Sequence, residues 1–276
     1  MLKQRVITAL ILTTVVVGII LLENPLWVSL LFTLGLMVAA REMLKLTLQL
    51  SETAVWLLAL AFATIFWISL EWINPKIIYL QSLIGAILWI LIALSLVFYR
   101  HHGNWSLLAR ILALGLGLDL IWICAHALIY QHDVYGGLVL LFMLTLVSFA
   151  DMGAYFCGKR FGRHKLAPAI SPGKTWEGVA GGLATNLVWI LLVIWLVQNF
   201  AESGLGMNPF WFIVIGLATS AISVVGDLFE SVIKREAGVK DSGTLLPGHG
   251  GILDRADGVI SAAPVFVTGL FLVNSS

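Results

Sequence analysis

The sequence contains several apolar runs that approach or exceed the roughly 20 residues an α-helix needs to cross the hydrocarbon core of a bilayer. One of them, ALILTTVVVGIILL at residues 9–22, lacks the alternation of apolar and polar residues that marks a membrane β-strand. The chain is 60% hydrophobic and only 11% charged, whereas soluble domains carry about 25% charged residues. These features predict an all-α polytopic membrane protein.

Nine membrane-spanning helices are predicted from these runs. Their approximate bounds are residues 5–22, 26–40, 53–73, 77–98, 106–129, 137–152, 177–198, 210–226 and 258–274. With the N-terminus in the cytoplasm, every Lys and Arg except Lys76 falls on the cytoplasmic side, in agreement with the positive-inside rule. We therefore expect a cytoplasmic N-terminus and an external C-terminus. The first run is expected to be retained as a span, because no small-residue cleavage site precedes ENPLW.

The two halves of the chain differ in where they carry polar residues. Residues 1–135 have short loops and few polar side chains, so we expect them to form a membrane scaffold. Asp119 and His126 in the fifth span can share a helix face, and we favour a structural pairing of these groups over a functional role. Residues 136–276 are expected to form the catalytic region, because two polar segments, 151–178 and 227–257, fall there on the same predicted membrane face.

The first polar segment begins with Asp151, Tyr155 and Lys159, which repeat every four residues. These side chains should therefore line one helix face as the sixth span leaves the membrane. Further along, Gly178 and Gly182 are separated by three residues, a spacing that favours close packing of one membrane helix on another. We expect the glycine pair to serve helix packing.

The run SPGKTWEG at residues 171–178 has the composition of a phosphate-binding turn. Pro172 and Gly173 predict a turn, Lys174 supplies a positive charge, and Thr175 is expected to cap the next helix. The N-terminus of that helix would present backbone N–H groups to an anion, for which phosphate is the natural guest. A Walker loop is excluded, because the glycine that it requires five positions before Gly173 is a proline.

The second polar segment, residues 227–257, lies between the last two predicted spans. Asp227, Ser231 and Lys234 follow helical spacing, so a carboxylate, a hydroxyl and an ammonium group can share one face. A Gly-rich loop follows, and its flexibility permits close approach of the backbone to a ligand. The segment therefore has the residue types of a site for a charged ligand.

Asp254 and Asp257 are three positions apart where the last span begins, so their carboxylates should share one helix face. Together with Asp227 and nearby basic residues, they predict a site for Mg²⁺, which usually binds in company with phosphates. An ion pair of Asp254 with Arg255 or Lys240 is the alternative interpretation. The coincidence of three acids at one membrane face favours the metal.

The residues from Ser231 onward resemble the signature of the phosphatidate cytidylyltransferases, also called CDP-diacylglycerol synthases. The matching positions are Ser231, Lys234, Arg235, Lys240, Asp241, Gly243 and the run LPGHGGILDRAD at residues 246–257. The segment DMGAYFCGKRFGRHKLAPAISPGKTWEG at residues 151–178 also looks like a region of that family. One small departure is Ala256, where family members usually carry a bulkier apolar residue.

The resemblance implies that CTP and phosphatidic acid react to give CDP-diacylglycerol and pyrophosphate, with Mg²⁺ as cofactor and room for a second cation. It implies metal ligands at Asp227 and Asp254 and a weaker ligand at Asp257. Lys240 and His249 join the first two as catalytic candidates, and His249 would either donate to an oxyanion or order the loop. Candidates for binding substrate phosphates are Ser171, Lys174, Thr175, Lys234, Arg235 and Arg255.

We further expect a homodimer, embedded among membrane lipids in a prokaryotic inner membrane, with its active site on the cytoplasmic face and no nucleic-acid partner. A CTP-dependent lipid kinase is one rival function, but it would need a base for a lipid hydroxyl. A transporter should carry polar groups near the bilayer midplane, whereas here they cluster at one face. A CDP-alcohol phosphotransferase is disfavoured, because only apolar residues follow DRADG where that family has further spaced acids.

Overall fold

A computed structural model describes residues 2–48, 50–99, 105–201, 206–245 and 250–274. This part of the chain forms nine α-helices and one short β-hairpin. The helices are α1 Leu2–Leu21, α2 Pro25–Leu48, α3 Glu52–Ser69, α4 Pro75–Phe98, α5 Leu107–Tyr135, α6 Gly137–Phe161, α7 Trp176–Phe200, α8 Pro209–Glu236 and α9 Leu253–Asn274. Eight are long and apolar enough to cross a membrane, and α1 has a shorter apolar part, Ile7–Leu21. The prediction of a helical polytopic membrane protein is confirmed.

Two helices continue well beyond the apolar runs that predicted them. α6 ends at Phe161 and α8 ends at Glu236, whereas the spans were expected to end near residues 152 and 226. Polar side chains do not break a helix once its backbone is hydrogen-bonded, so the end of the apolar run does not end the helix. Asp151 and Asp227 therefore lie on helices, so the polar segments 151–178 and 227–257 begin as helix rather than as loop.

The β-hairpin joins α6 to α7 and is a small exception to the all-α prediction. Its two antiparallel strands are β1 Lys165–Ala167 and β2 Ser171–Thr175. Pro168 is the second residue of the connecting turn, which is closed by the Ile170 N–H donating to the Ala167 carbonyl at 3.1 Å. Proline suits this position because its φ is already that of the turn. The turn predicted at residues 172–173 is wrong, because those residues lie in β2.

Glycines allow α7 to lie directly against α6. A Cβ atom at Gly178 would lie 2.9 Å from the carbonyl oxygen of Ala154, and one at Gly182 would lie 2.7 Å from that of Ala150. Only a hydrogen atom fits at such distances, so the predicted packing role of the two glycines is confirmed. The close approach brings the hairpin and the start of α7 against the polar end of α6.

α9 lies at the centre of the bundle, in contact with α4, α5 and α8. The main hydrophobic core contains buried residues from both parts of the chain, such as Phe66 and Trp89 from the first and Met143 and Phe266 from the second. The start of α9 lies beside the end of α8, which places the acids of the two helices next to each other. The division into scaffold and catalytic region stays a prediction.

His126 has a structural role in the scaffold. Its Nε2 atom lies 3.0 Å from the Ser69 hydroxyl, its Nδ1 atom lies 2.8 Å from Oε1 of Gln81, and its ring stacks on Phe66. Both ring nitrogens thus have partners on α3 and α4, while Asp119 is exposed. The structural role expected of His126 is supported, but its partners are not Asp119.

Candidate active site

A pocket of about 500 Å³ lies between α6, the hairpin, α7 and α8. Its polar lining residues are Asp151, Tyr155, Lys159, Ser171, Lys174, Thr175 and Asp227. The predicted face of Asp151, Tyr155 and Lys159 is confirmed, because all three line this one pocket. The structure therefore brings the segment 151–178 together with the first acid of the segment 227–257, and it does so at the polar ends of α6 and α8.

The hairpin carries Lys174 across to α8. The Nζ atom of Lys174 lies 2.6 Å from Oδ2 of Asp227 and donates to the Val224 carbonyl at 3.3 Å. The hairpin is held in place at its turn, because Ile170 is buried against Leu228 on α8. A metal–phosphate ligand contains a positive metal ion and a negative phosphate. Lys174 can therefore bind the phosphate, and Asp227 can bind the metal.

Three aspartates, Asp151, Asp227 and Asp257, form what we call the open acidic group. They come from α6, α8 and α9 and lie close enough to repel one another electrostatically, while Lys174 and Arg255 attract Asp151. Asp227 also accepts a weak hydrogen bond from Ser231 at 3.4 Å. The three carboxylates outnumber the two cations, so the group carries excess negative charge. A bound cation would offset that excess.

Among the residues that the structure describes, no three His, Cys, Asp or Glu side chains are arranged as a preformed metal site. Mg²⁺ does not require such a cage, because it is usually held by one or two carboxylates together with substrate phosphates and water. The open acidic group, two members of which line the pocket, therefore fits a Mg²⁺ site that a bound phosphate would complete. The predicted metal roles of Asp227, Asp254 and Asp257 stay predictions.

Asp254 belongs to a second, more enclosed arrangement. Its Oδ1 atom accepts from Lys234 Nζ at 2.6 Å, and its Oδ2 atom accepts from Ser242 N at 2.9 Å, Ser242 Oγ at 3.0 Å and Gly251 N at 2.8 Å. The side chain is only 10% exposed. The ion pair considered as an alternative does form, but with Lys234 rather than with Arg255 or Lys240.

Lys234 also bonds to a residue that the sequence analysis missed. Its Nζ atom donates to Oε2 of Glu230 at 2.6 Å, one helical turn back on α8. Glu230 is 3% exposed, so Lys234 is the shared hydrogen-bond donor of two enclosed carboxyl groups, which we call the closed acidic pair. The spacing of four residues between Glu230 and Lys234 was the available signal. Lys234 stays a predicted phosphate ligand, but a phosphate would have to compete with both carboxylates.

Glu42 of α2 is the other residue that the sequence analysis missed. It is completely buried, and its carboxylate accepts from Ile252 N at 3.0 Å, Leu253 N at 2.9 Å and Ser242 Oγ at 2.8 Å. A carboxylate from the predicted scaffold thus caps the N-terminus of α9 and also accepts from the Ser242 hydroxyl. A lone acid near the end of an apolar span was the signal that could have found it.

Three of the remaining candidates, Thr175, Arg235 and Lys240, lie in the part of the chain that the structure describes. Thr175 caps α7 as predicted, accepting from Gly178 N at 3.1 Å. Arg235 donates from Nε to the Ile170 carbonyl at 3.3 Å, so it holds the hairpin turn on α8. Lys240 is exposed on the segment that follows α8. His249 lies outside the described residues, and its predicted catalytic role stays a prediction.

Comparisons with known proteins agree with this arrangement. The sequence profile of the cytidylyltransferase family matches residues 3–273. The chain is 38% identical to the phosphatidate cytidylyltransferase of Haemophilus influenzae, over 99% of this chain and 100% of that protein. It is also 38% identical to the phosphatidate cytidylyltransferase of Pseudomonas aeruginosa, over 98% of this chain and 97% of that protein. Matches of this length and identity establish that the chain belongs to the cytidylyltransferase family.

Proposed function

We propose that this chain transfers the cytidylyl group of CTP to phosphatidic acid, giving CDP-diacylglycerol and pyrophosphate. Its full-length relatives are named for this activity. The observation that carries the proposal is the one pocket in which Lys174 meets Asp151 and Asp227, two members of the open acidic group. A triphosphate and a metal require these two kinds of charge side by side.

The reaction needs little help from a general base. The second pKa of a phosphate monoester is about 6, so the lipid phosphate is largely a dianion at neutral pH. One of its oxygens forms a bond to the α-phosphorus of CTP, the bond from that phosphorus to the β-phosphate oxygen breaks, and pyrophosphate leaves with the electron pair. The main task of the protein is to bring two polyanions together, so catalysis rests on positioning and on opposite charge.

Each part of the pocket has a task in this reaction. Lys174 holds a nucleotide phosphate, and Ser171 and Thr175 supply hydroxyl groups on the same side of the pocket. Asp227 and Asp257 would hold Mg²⁺, which when bound would offset the charge of the departing pyrophosphate. Asp254 can join them if Lys234 releases its Oδ1 atom, and a second cation would find its ligands in the same set.

The polar ends of α6 and α8 are proposed to face the cytoplasm, where CTP is found, in a prokaryotic inner membrane. This orientation is supported by the distribution of Lys and Arg, with Lys76 at the opposite end of the bundle. We also propose that the protein acts as a homodimer, as the resemblance implies. An external amine reagent applied to intact cells should label Lys76 and spare Lys240, and the reverse result would overturn the orientation.

The direct test is to incubate the purified protein with phosphatidic acid, Mg²⁺ and CTP labelled at either the α- or the γ-phosphate. Transfer of the α-label into lipid is the expected result. Transfer of the γ-label would instead identify a lipid kinase. Absence of both labels from the lipid, with the protein folded, would contradict the proposal and favour a transporter.

A further inference from the structure

We propose that an apolar cavity between α1, α2, α5 and α9 binds an acyl chain of the phosphatidate substrate, and that Arg255 binds the phosphate of the same lipid molecule. This inference rests on the proposed function and assigns the lipid half of the site. The cavity measures about 230 Å³ and is separate from the polar pocket between α6, α7 and α8.

The cavity is elongated along the helices. At the start of α9 it is lined from Ile252, the residue before the helix, to Ile260, and on α2 it is lined from Leu31 to Ala39. Each stretch covers eight residue steps, or roughly 12 Å at 1.5 Å per residue. Apart from Arg255, its lining residues are apolar or small. An apolar cavity of roughly 12 Å with a cation in its lining has the length and polarity to hold part of one acyl chain attached to an anionic headgroup.

The helical period of α9 separates the two halves of the site. Arg255, Ala256 and Val259 point to the cavity, whereas Asp254 and Asp257 point to α8 and the open acidic group. Arg255 is nevertheless close enough to Asp151 to attract its carboxylate. A guanidinium at this position therefore stands between the lipid cavity and the nucleotide pocket, where the attacking phosphate has to be held.

Phosphatidate suits the combination of the cavity and Arg255 better than other membrane lipids do. Any membrane lipid can supply an acyl chain, and hydrocarbon gains little by leaving one apolar environment for another. Selectivity must therefore come from the charged end, and a phosphate monoester dianion suits bidentate binding by an arginine. A zwitterionic lipid with the same chains lacks that complementarity.

Gly35 on α2 provides a way to fill the cavity. It lines the cavity, and a Cβ atom at this position would meet nothing within 4 Å. Gly35→Leu should therefore fold and occupy space that the acyl chain needs. Gly115→Leu is the matched control, because a Cβ at Gly115 also meets nothing within 4 Å, but that residue faces outward from α5 and does not line the cavity.

The experiment measures KM for dioleoyl and dihexanoyl phosphatidate in mixed micelles, together with KM for CTP. Gly35→Leu should raise KM for the long-chain lipid roughly tenfold, and much less for the short-chain lipid. KM for CTP should not change. Gly115→Leu should behave as the original protein does. An unchanged ratio of long-chain to short-chain KM in Gly35→Leu would overturn the cavity assignment.

Arg255 is tested separately, so that a folding defect in Gly35→Leu cannot hide the answer. Arg255→Gln should raise KM for phosphatidate by about tenfold or more without raising KM for CTP, and Arg255→Lys should recover part of the loss. An equal rise in both KM values would remove Arg255 as the residue that selects the lipid phosphate.

A binding readout distinguishes failure of this inference from failure of the proposed function. Phosphatidate carrying a photoreactive diazirine in one acyl chain should crosslink to residues of α2 and α9 that line the cavity, and unlabelled phosphatidate should compete more strongly than phosphatidylcholine. Crosslinking without CDP-diacylglycerol synthesis would contradict only the proposed function. Synthesis with crosslinks elsewhere, or equal competition by both lipids, would contradict only the cavity assignment.

Discussion

The open acidic group and the closed acidic pair both have carboxyl groups on α8 and α9, yet the surroundings of these groups differ. Asp227 of the open group is 36% exposed and lines a pocket of about 500 Å³. Glu230 and Asp254 of the closed pair are 3% and 10% exposed, and Lys234 lies between them. One turn of α8 thus separates carboxylates that can receive a ligand from carboxylates that hold the fold together.

The difference indicates what each set contributes. A carboxylate with an exposed ion-pair partner can exchange that partner for a metal or a phosphate at small cost. An enclosed ion pair cannot lose one member without leaving the other buried and uncompensated. The open acidic group should therefore control catalysis with little effect on stability, and the closed acidic pair should control stability first. Four substitutions test this comparison.

The largest effect is expected for Asp227→Asn. The amide keeps the shape of the side chain but loses the charge that would hold the metal, so we expect kcat to fall by roughly 10³-fold. Thermal unfolding in detergent should change little. Ser231→Ala is the control, because it removes only the weak contact to Asp227. Activity within tenfold of the original would show that Asp227 is not a metal ligand.

Lys234→Met should have the opposite signature. It leaves Glu230 and Asp254 enclosed without their shared cation, so we expect a loss of about 3 kcal/mol in the free energy of unfolding. Adding Glu230→Gln should recover part of that loss, because only one enclosed carboxyl group, Asp254, is then left without its cation. A double variant as unstable as Lys234→Met alone would contradict the closed pair as described.

Glu42→Ala tests the link between the two parts of the chain. The substitution leaves two backbone N–H groups without their acceptor, while the Ser242 hydroxyl keeps Asp254 as an acceptor, and we expect a loss of about 2 kcal/mol in the free energy of unfolding. Hydrogen exchange at Ile252 and Leu253 should become faster. Glu52→Ala, an exposed acid at the start of α3, is the control and should leave exchange at these two amides unchanged. Unchanged exchange in Glu42→Ala would show that α9 holds its N-terminus without α2.

Lys174→Ala should have the smallest effect of the four. We expect KM for CTP to rise about tenfold, because one phosphate contact is lost. The free energy of unfolding should change by less than about 1 kcal/mol, because water can reach the carboxylate of Asp227, the ion-pair partner of Lys174. Lys76→Ala, an exposed lysine at the start of α4, is the control. A large loss of stability in Lys174→Ala would erase the distinction between the two acidic sets.

Much of the site could be predicted because it follows short-range spacing. The four-residue repeat of Asp151, Tyr155 and Lys159 placed these residues on one face, and Thr175 caps α7 as its residue type suggests. The hairpin turn was predicted at residues 172–173, but it lies at Pro168. The burial of Ile170 against α8 decided between these two positions. Such a contact joins residues almost sixty positions apart and leaves no local signal.

Glu42 illustrates the same limit more strongly. Its partners lie about 200 positions away, and only the packing of α2 against the start of α9 brings them together. The assignment of Asp254 changed for a related reason, because spacing alone could not distinguish Lys234 from Arg255 or Lys240 as its partner. Arg255 is adjacent to Asp254 in sequence, but on a helix adjacent side chains point about 100° apart.

The sequence by itself determined the helical membrane fold, the family and the residue types of the site, because apolar run length, signature spacing and helical period are local properties. Only the tertiary structure decided which carboxylates are open and which are closed, that α2 caps α9, and that Arg255 faces the apolar cavity. Those outcomes depend on which helix faces meet. A charge that is buried where two helices pack must be compensated by a partner, and the packing determines which partner is within reach.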